Sequence, residues 1–480
     1  NKYADTDGDS LPDMFHGRIT SQNNTHLSRM IGKMLTYEQQ PPISARFYNR
    51  PLFCCGWETP RWFMITVEIL KGYFVKNQGK DPVHQHEIIS GTPYPGCAWS
   101  TNANTYMLVD YFGPNGLNYI PETNPYNSTY WDSGDAAGIS REINAGSFIV
   151  QHRDHGNVDC WGAPYYHISH IKNLTNQYPP FVFSFNCLTG KYDYGSECFV
   201  EAFHRHQFGA LGTNAASSNS FSFVNDTYTF GLYDCMFPDF MPDYPLPGSD
   251  AEPSFDYGNL RPGYGMVSGK YFLHQSNWPY NPQYKPITYH LFHHHGDPFL
   301  TIFSEIPESL TVSHAARLEA GDTIFTVTAN DSALIGLSVN DVLIGRAEGT
   351  GGPVDIKIPP QTAGDTMLVT VTLYNHYRYM KKVPIVEPGV SGVSPPVVSR
   401  LWLSRTIVKD RVEVEYLLAV KERVRLSLFD VMGRRVDGFD GELVGKGRLS
   451  FDTSQFGAGA YFLKISCRNK ESIQHIVVVK

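Results

Sequence analysis

FIVQHRDHGN (residues 148–157) and FVFSFNCLTG (residues 181–190) are two apolar runs that each end at a reactive side chain. The first run leads to His155 and the second to Cys187. Continuous apolar runs of this length predict strands of a parallel sheet that is covered on both faces. Helical patterns alternate with such strands in the surrounding sequence, which predicts right-handed crossovers and a largely parallel sheet.

The first 302 residues therefore read as α/β. Helical spacing and capping residues predict helices, and short apolar runs predict strands. Helices are expected at residues 25–39, 135–146, 167–174 and 196–206, with Gly146 as a C-cap, and strands at 147–150, 181–185 and 209–215. The segment 221–290 is rich in Tyr, Pro, Asp and Gly, so we expect it to be mostly an ordered loop region.

The pattern of apolar and polar residues changes near residue 303. Residues 303–386 alternate apolar and polar side chains in short runs broken by Gly, Asn and Asp, a pattern typical of a β-sandwich. EPGVSGVSPPVV (387–398) is typical of a linker, and residues 399–480 form a second β module. The predicted fold is an α/β domain with a largely parallel sheet and flanking helices, followed by two β-sandwich modules.

Composition excludes several classes of protein. Of the 480 residues, 41% are hydrophobic and 18% charged, which is typical of a globular chain. The net charge of −8 and the lack of a dense basic cluster argue against a nucleic-acid or anionic-membrane partner. No apolar run is long enough to predict a transmembrane segment. Eight cysteines are too few for a disulfide scaffold, and the absence of an initial Met leads us to expect a processed chain or a fragment.

Two neighbouring parallel strands that end in His155 and Cys187 would bring an imidazole and a thiol into one crevice. Such a pair makes a strong nucleophile near neutral pH, because the histidine favours the thiolate and then protonates the leaving group. Gly156 allows close approach of a substrate backbone, and its N–H and that of Cys187 could bind a developing oxyanion. The alternative is a buried structural cysteine and an unrelated loop histidine.

The motifs around both residues resemble those of the gingipain family of cysteine peptidases. The resemblance runs through GSFIVQHRDHGNVDCWG (146–162), HISHIKNLTNQYPPFVFSFNCLTGKYDYGSECFVEAF (167–203) and DSLPDMFHGRITSQNNTHLSRMIGKMLTYE (9–38). It continues at YHLFHHHGDPFL (289–300), where the family has a Gly-Asp-Pro near the end of its catalytic domain. Several motifs in one order are a more specific signal than any one of them.

The resemblance implies a caspase-like fold in residues 1–302 and an immunoglobulin-like domain in residues 303–386. It implies that Cys187 is the nucleophile and His155 the catalytic histidine, and no cofactor for catalysis. CCGWETP (54–60) occupies the place of the strand whose acidic residue orients the histidine, which makes Glu58 the third member. We expect the family's N-terminal subdomain to be missing from this sequence. The chain also departs from the family in placing Arg153 and Asp154 before the histidine, so that Asp154 is an alternative local partner.

The resemblance also bears on substrate preference, because gingipains bind a basic side chain through a pocket carboxylate. The residues that we expect to line the equivalent pocket are aromatic or uncharged: Trp62, Phe63, Phe221 and Ser222. This set favours an apolar or mixed residue before the scissile bond. Glu68 and Asp226 are the two carboxylates that would restore basic specificity if either entered the pocket.

Two metal hypotheses follow from the sequence. DTDGDSLPD places Asp5, Asp7, Asp9 and Asp13 on one short loop, a pattern suited to a structural Ca²⁺, and the family's calcium dependence supports it. The alternative is a solvated acidic turn. A catalytic zinc is not favoured, because the histidine pairs lack a His-Glu-x-x-His motif and an acidic third ligand.

The last module resembles the C-terminal sorting domain of the type IX secretion system, on the strength of LSLFDVMGRRV (426–436), LSFDTSQFGAGAYFLKIS (449–466) and the terminal IVVVK. We therefore expect export across a Gram-negative outer membrane by the type IX machinery, followed by release or attachment to the cell surface. The function expected is a secreted cysteine endopeptidase acting on proteins or peptides. A non-catalytic surface adhesin on a peptidase scaffold is the alternative, and the presence of both His155 and Cys187 counts against it.

Overall fold

The computed structural model describes residues 3–242, 260–278, 281–389, 400–403, 407–467 and 470–479. Most of the predicted linker, from residue 390 onward, lies outside the described residues. In the part of the chain that is described, no helix combines the length and the apolar character needed to cross a bilayer.

A six-stranded sheet forms the centre of the first domain. The strands of this domain are β1 (Leu52–Glu58), β2 (Val83–Ser90), β3 (Ile149–Arg153), β4 (Gly156–Asn157), β5 (Cys160–Trp161), β6 (Tyr166–His167), β7 (Phe181–Phe185), β8 (Gly212–Ala216) and β9 (Phe292–His295). The order in the sheet is β2-β1-β3-β7-β8-β9, and only the pairing of β8 with β9 is antiparallel. The predicted largely parallel sheet is confirmed, and β4, β5 and β6 form a small separate sheet.

Helices flank this sheet. They are α1 (Asn24–Gln39), α2 (Ala45–Asn49), α3 (Phe63–Lys76), α4 (Thr105–Phe112), α5 (Ser128–Trp131), α6 (Ala136–Ala145), α7 (Ile168–Ile171), α8 (Phe199–Arg205), α9 (Val224–Met236), α10 (Pro262–Gln275) and α11 (Lys285–Leu291). The side chain of Asn23 caps α1, and Asp135 caps α6 by accepting the N–H of Gly138 at 2.6 Å. Gly146 ends α6 with a φ of 105°, as the sequence predicts.

The expectation of a long loop region over residues 221–290 is wrong. Helices α9, α10 and α11 lie in this segment, whereas residues 243–259 and 279–280 are outside the described residues. Nearly every residue of α9 is buried, and so are most residues of α10. A helix that is covered on most sides has no amphipathic period, so its sequence pattern does not distinguish it from a buried loop.

Side chains of the strands alternate between two cores. Phe181, Phe183 and Phe185 of β7 pack into the larger core, together with α3, α9 and α10. Val182 points to the opposite face and packs with α6, α7 and α8. Covered on both faces, β7 and β3 are completely buried, which explains the nearly continuous apolar sequence of β7. In β3 the buried residues include Gln151, His152 and Arg153.

The second domain is a sandwich of short strands. Its elements are β10 (Glu308–Ser309), β11 (Ser313–His314), β12 (Leu318–Glu319), β13 (Ile324–Thr328), β14 (Leu334–Val339), β15 (Val342–Glu348), β16 (Pro353–Lys357), β17 (Thr366–Thr372), β18 (His376–Tyr377) and β19 (Tyr379–Val386). A three-stranded sheet and a five-stranded sheet enclose a core that includes Val327, Ile335 and Val369.

A polar seam joins the first two domains at Ser304. The Nζ atom of Lys80, which follows α3, donates to the carbonyl oxygen of Ser304 at 2.8 Å and pairs with Glu305 at 2.6 Å. From the sandwich, Tyr374 and Asn375 donate to the Ser304 hydroxyl at 3.0 and 3.1 Å. Ser304 is buried, so the two domains share an ordered interface rather than a free joint.

The third domain is one six-stranded sheet. Its strands are β20 (Arg400–Leu403), β21 (Ile407–Val408), β22 (Arg411–Asp430), β23 (Arg435–Asp452), β24 (Gly459–Cys467) and β25 (Lys470–Val478). The long antiparallel pair β22–β23 is interrupted by a register shift between Leu418 and Glu422. Alternate residues of β22, β24 and β25 form the core of this domain.

Candidate active site

The carboxyl ends of neighbouring strands bring the expected catalytic residues to one edge of the sheet. Glu58 is the last residue of β1, and β1 pairs with β3. Arg153 of β3 lies opposite Phe185 of β7, and His155 and Cys187 each follow two residues later. The histidine and the cysteine therefore leave the sheet at the same level and on adjacent strands.

The imidazole of His155 is held by the carboxylate of Glu58. Oε2 of Glu58 lies 3.0 Å from Nε2 of the imidazole. A carboxylate at this position accepts the Nε2–H and leaves Nδ1 with a free lone pair. The ring of Phe63 meets the imidazole edge to face at a centroid distance of 5.4 Å, which supports it from below. His155 keeps half of its side chain exposed, as a group that meets substrate requires.

The sulfur of Cys187 lies against the loop that follows β8. The backbone N–H of Ser220 points at Sγ at 3.3 Å, and the Ser220 hydroxyl lies 3.7 Å from it. Leu188 has a φ of 63°, so the chain turns sharply directly after the cysteine. A Cβ atom added to Gly156 would come within 2.8 Å of the carbonyl oxygen of Cys187. The two segments are in contact, and Gly156 is required for that contact.

Asp154, the alternative partner for the histidine, turns the other way. Its carboxylate is buried and accepts the N–H of Ala163 at 2.6 Å. Gly56 and Gly162 border the carboxylate closely: an added Cβ atom would lie 2.7 Å from Cγ of Asp154 at Gly56 and 3.0 Å from its Oδ2 at Gly162. Burial raises the pKa of Asp154 to about 7. The acidic neighbour of His155 is therefore Glu58.

Asp226, one of the two carboxylates considered for basic specificity, is neutralised from within the chain. Arg153 binds it in a bidentate ion pair, with Nε at 2.6 Å and Nη2 at 2.9 Å. Thr66 and the N–H of Phe223 donate to the same carboxylate at 3.0 and 2.9 Å. Both partners of the ion pair are buried, and removing one from such a pair typically costs about 3–5 kcal/mol.

Glu68, the other carboxylate, is likewise paired in the interior. The ammonium of Lys71 lies 2.8 Å from it and the imidazole of His86 lies 3.2 Å from it. Burial raises the pKa of Glu68, but Lys71 and His86 outweigh burial and hold it at about 2. Glu68 is therefore a buried, ionised carboxylate of α3 that is paired with Lys71 of the same helix and His86 of β2.

The four residues expected at the substrate pocket differ in exposure. Phe221 and Ser222 are half-buried beside the Ser220 loop, whereas Trp62 is fully buried and donates to Thr105. Phe63, also buried, lies beneath His155. Trp62 therefore belongs to the core and forms no exposed wall.

Two further residues border this region that the sequence did not single out. Tyr284 stacks on Phe221 at a centroid distance of 3.9 Å. Arg61 donates to the Ser222 hydroxyl at 3.2 Å and lies 3.5 Å from Glu58. Tyr284 falls in the segment that was expected to be loop, and no local pattern links it to Phe221.

The acidic loop near the start of the chain gathers three of its four carboxylates. Oxygen atoms of Asp5, Asp7 and Asp13 lie within 4.8 Å of one another, and the carboxylate of Asp9 lies outside this group. Asp9 instead accepts the N–H of Leu11 at 2.7 Å. Hydrogen bonds from Thr6 lower the pKa of Asp13, which keeps that carboxylate ionised. Across the described ranges, the histidine pairs considered for zinc do not come together as metal ligands.

Similarity to known protein families extends over all three domains. The model of peptidase family C25 matches residues 1–303, well over half of the chain. The chain belongs to peptidase family C25. The C-terminal Ig-like domain of that family matches residues 313–386, and a secretion system C-terminal sorting domain matches residues 408–480. The sorting domain marks this family member as secreted or attached to the cell surface.

Individual relatives are gingipains of Porphyromonas gingivalis. Gingipain R2 is 24% identical over 345 residues, which cover 70% of this chain and 42% of the relative. Lys-gingipain W83 is 22% identical over 399 residues, covering 81% of this chain and 20% of that protein. The chain thus spans less than half the length of the curated relatives it matches. The crystal structure of the Arg-specific cysteine proteinase gingipain R superposes with a TM-score of 0.62 at 17% identity, covering 80% of this chain and 78% of that one, which confirms the fold.

Proposed function

We propose that this chain is a secreted cysteine endopeptidase that hydrolyses peptide bonds through Cys187, His155 and Glu58. The single observation that carries the proposal is the convergence of these side chains at the ends of adjacent parallel strands, with Glu58 3.0 Å from the histidine. Membership of family C25 supports it independently.

The proposed reaction begins with proton transfer from the Cys187 thiol to Nδ1 of His155. Glu58 accepts the Nε2–H and stabilises the imidazolium that forms. The Ser220 N–H, at 3.3 Å from the sulfur, is positioned to donate to the thiolate once it forms. The thiolate attacks the carbonyl carbon of the scissile peptide, and the N–H groups of Gly156 and Cys187 bind the oxyanion.

Collapse of the tetrahedral intermediate releases the amine, which takes its proton from the imidazolium. The thioester left on Cys187 is then hydrolysed by a water molecule that His155 deprotonates. The half-exposed imidazole and the partly exposed cysteine leave room for both the substrate and that water.

Substrates are proposed to be proteins or peptides with an apolar or mixed residue before the scissile bond. Phe221, its stacking partner Tyr284 and Ser222 offer aromatic and neutral surface beside Cys187. Arg61 adds a positive charge at 3.2 Å from Ser222. Glu68 and Asp226 are both paired within the chain. A substrate lysine or arginine would therefore leave its charge unpaired in this region.

Two further elements complete the proposal. Asp5, Asp7 and Asp13 are proposed to bind a structural Ca²⁺, because three carboxylates whose oxygen atoms converge in one loop are the ligands that this hard cation prefers. The sorting domain is proposed to engage the type IX secretion machinery.

The catalytic proposal is tested by Cys187→Ala, with Cys160→Ala as the matched control. Both cysteines are partly exposed, but burial raises the pKa of the Cys160 thiol to about 11, so that thiol is protonated at pH 7. Peptide turnover should be lost in Cys187→Ala and retained in Cys160→Ala, with both proteins folded by circular dichroism. Turnover by folded Cys187→Ala would sink the mechanism, and a folded wild-type chain that cleaves no peptide in a diverse library would favour the adhesin.

A further inference from the structure

The backbone N–H and C=O of Ala163 are both hydrogen-bonded by the two residues that flank Arg153. Its N–H donates to Asp154 at 2.6 Å, and its carbonyl oxygen accepts from Nε2 of His152 at 3.1 Å. Ala163 ends the β4–β5 hairpin that follows His155. The hairpin is therefore tied back to the strand that delivers the catalytic histidine.

The other ring nitrogen of His152 reaches the loop that carries Cys187. Nδ1 of His152 accepts a hydrogen bond from Nδ2 of Asn186 at 2.8 Å. Burial keeps the imidazole neutral by lowering its pKa to about 3, so it has one N–H donor and one acceptor. Trp161 stacks on the ring at 4.4 Å with an interplanar angle of 1°, which fixes its plane.

The side chain of Asn186 is fixed in turn by residues on both sides of it in the chain. Its Nδ2 donates to the Ser184 hydroxyl at 3.0 Å, and its Oδ1 accepts from Thr189 at 2.6 Å. Trp161 donates to the same Ser184 hydroxyl at 2.8 Å. Each of these side chains is at most 1% exposed, so no water replaces a partner that is lost.

The backbone of the His155 loop also packs directly against the Cys187 loop. A Cβ atom at Gly156 would lie 2.6 Å from Oδ1 of Asn186. The residue after the catalytic histidine therefore rests directly on the residue before the catalytic cysteine. Neither loop can shift without breaking buried hydrogen bonds or entering this contact.

We propose that His152 and Asn186 are positioning residues that hold the His155 loop against the Cys187 loop at the separation that proton transfer requires. The inference rests on the proposed Cys–His mechanism, to which it adds two residues that touch neither substrate nor sulfur. A displacement of about 1 Å between reacting groups can lower a rate about 100-fold, so a buried link of this kind controls kcat.

The first test is a double-mutant cycle of His152→Phe and Asn186→Leu, measured as kcat and KM on a fluorogenic peptide substrate. Each single variant should lower kcat by about 10- to 100-fold with little change in KM. The double variant should be no slower than the slower single variant, because both changes break the same link. Losses that multiply, or singles with unchanged kcat, would overturn the proposal. Where leucine prevents folding, Asn186→Ser takes its place with the same expectations, since serine is too short to reach His152.

The matched control is Tyr228→Phe, which removes a buried hydrogen bond of 3.0 Å to Asn214 elsewhere in the same domain. Its kcat should stay at the wild-type value even if its Tm falls. If this control loses as much kcat as Asn186→Leu does, the loss reports general destabilisation and the positioning role is wrong.

Hydrogen exchange separates the link from the peptidase proposal. In a Cys187→Ala background, Asn186→Leu should speed amide exchange in residues 156–164 by about 10-fold or more, although the substitution lies on the other loop. Unchanged exchange in that segment would overturn the link. Faster exchange in a protein whose parent chain cleaves no peptide would keep the link and reject the peptidase function.

Discussion

Oε2 of Glu58 lies 3.0 Å from Nε2 of His155, although the two residues are 97 positions apart: Glu58 ends β1 and His155 follows the end of β3. The contact depends on β1 and β3 being neighbours and ending at the same edge of the sheet. It gives His155 a fixed ring plane and a fixed tautomer, which are the properties of a general base that must face one sulfur atom.

Glu58→Gln should lower kcat by about 100-fold, because a neutral amide stabilises the imidazolium less well and no longer fixes the tautomer. Steady-state kinetics on a fluorogenic peptide would measure the loss. Glu87→Gln is the control, since Glu87 lies on the adjacent strand β2 and its carboxylate accepts the backbone N–H of Tyr165 at 3.3 Å. Equal activity of Glu58→Gln and Glu87→Gln would contradict the role of Glu58.

Cleavage of a peptide library should not be confined to bonds after Arg or Lys. Glu68 and Asp226, the two carboxylates considered for basic specificity, are bound by Lys71 and Arg153. We expect apolar and mixed residues before the scissile bond, identified by mass spectrometry of the products. Strict cleavage after basic residues would show that one of these carboxylates is released when substrate binds.

Calcium should raise the Tm, and a chelator should reverse the rise. At a free Ca²⁺ concentration 100 times Kd, the expected stabilisation is about 2.7 kcal/mol. Asp7→Asn should remove most of this effect because it takes one carboxylate from the three that converge. Asp9→Asn is the internal control, because Asp9 lies outside that group. If Ca²⁺ does not change the Tm of the wild-type chain, the site is ruled out.

Stability should rise as the pH increases from about 4 to 6.5. Burial lowers the pKa of His294 to about 4 and of His295 to about 3, so both are neutral in the folded chain while the unfolded chain binds protons below pH 6.5. Each of these histidines lowers the free energy of unfolding by about 1.4 kcal/mol for every pH unit below 6.5, until the pH reaches its pKa in the folded state.

The pKa of Asp154, raised to about 7, works in the opposite direction, since its proton is bound in the folded state and stability falls as pH rises toward 7. Below pH 6.5 the effect of the two histidines with lowered pKa values exceeds that of the single aspartate. Thermal unfolding across pH 4–8 would measure the balance. His295→Phe should flatten the acid limb, whereas His274→Gln, at an exposed position, should not; an acid limb that is flat in the wild type would contradict the assignment.

Ending the chain after residue 398 should block export and leave catalysis intact. The reason is that the sorting domain matches residues 408–480, while the proposed catalytic residues all lie in the first domain. Comparison of the culture medium with the periplasm would locate the truncated protein. Full-length Cys187→Ala, which should be exported normally, is the control; the truncated chain outside the cell would refute the sorting role.

The parts of the fold that the sequence predicted are those in which local pattern and tertiary environment agree. Strand β7 was predicted to the residue, because its five buried residues are all apolar or small. Helix α6 was predicted because Asp135 and Gly146 mark its ends. Helices α9 and α10 were missed because their burial removes the amphipathic pattern, and Gly, Tyr and Pro obscured what remained.

The site divides along a similar line. His155 and Cys187 stand at strand ends and were visible from spacing, whereas Glu58 depended on a family resemblance. The His152–Asn186 bond and the stacking of Tyr284 on Phe221 join residues far apart in sequence. Such pairs depend on strand register and on helix placement, and neither is encoded in a local pattern. Trp62 was assigned to an exposed wall because sequence position does not reveal which way a helix-terminal side chain points.

The Ser304 seam has a mechanical consequence. Lys80 holds the backbone at the domain border from one side, and Tyr374 and Asn375 hold the Ser304 side chain from the other. A hinge needs a segment whose dihedral angles change freely, and a residue with both its backbone and its side chain bound in a buried setting does not provide one. We therefore expect the Ig-like sandwich to move together with the first domain and not to swing about Ser304, although the architecture changes near residue 303.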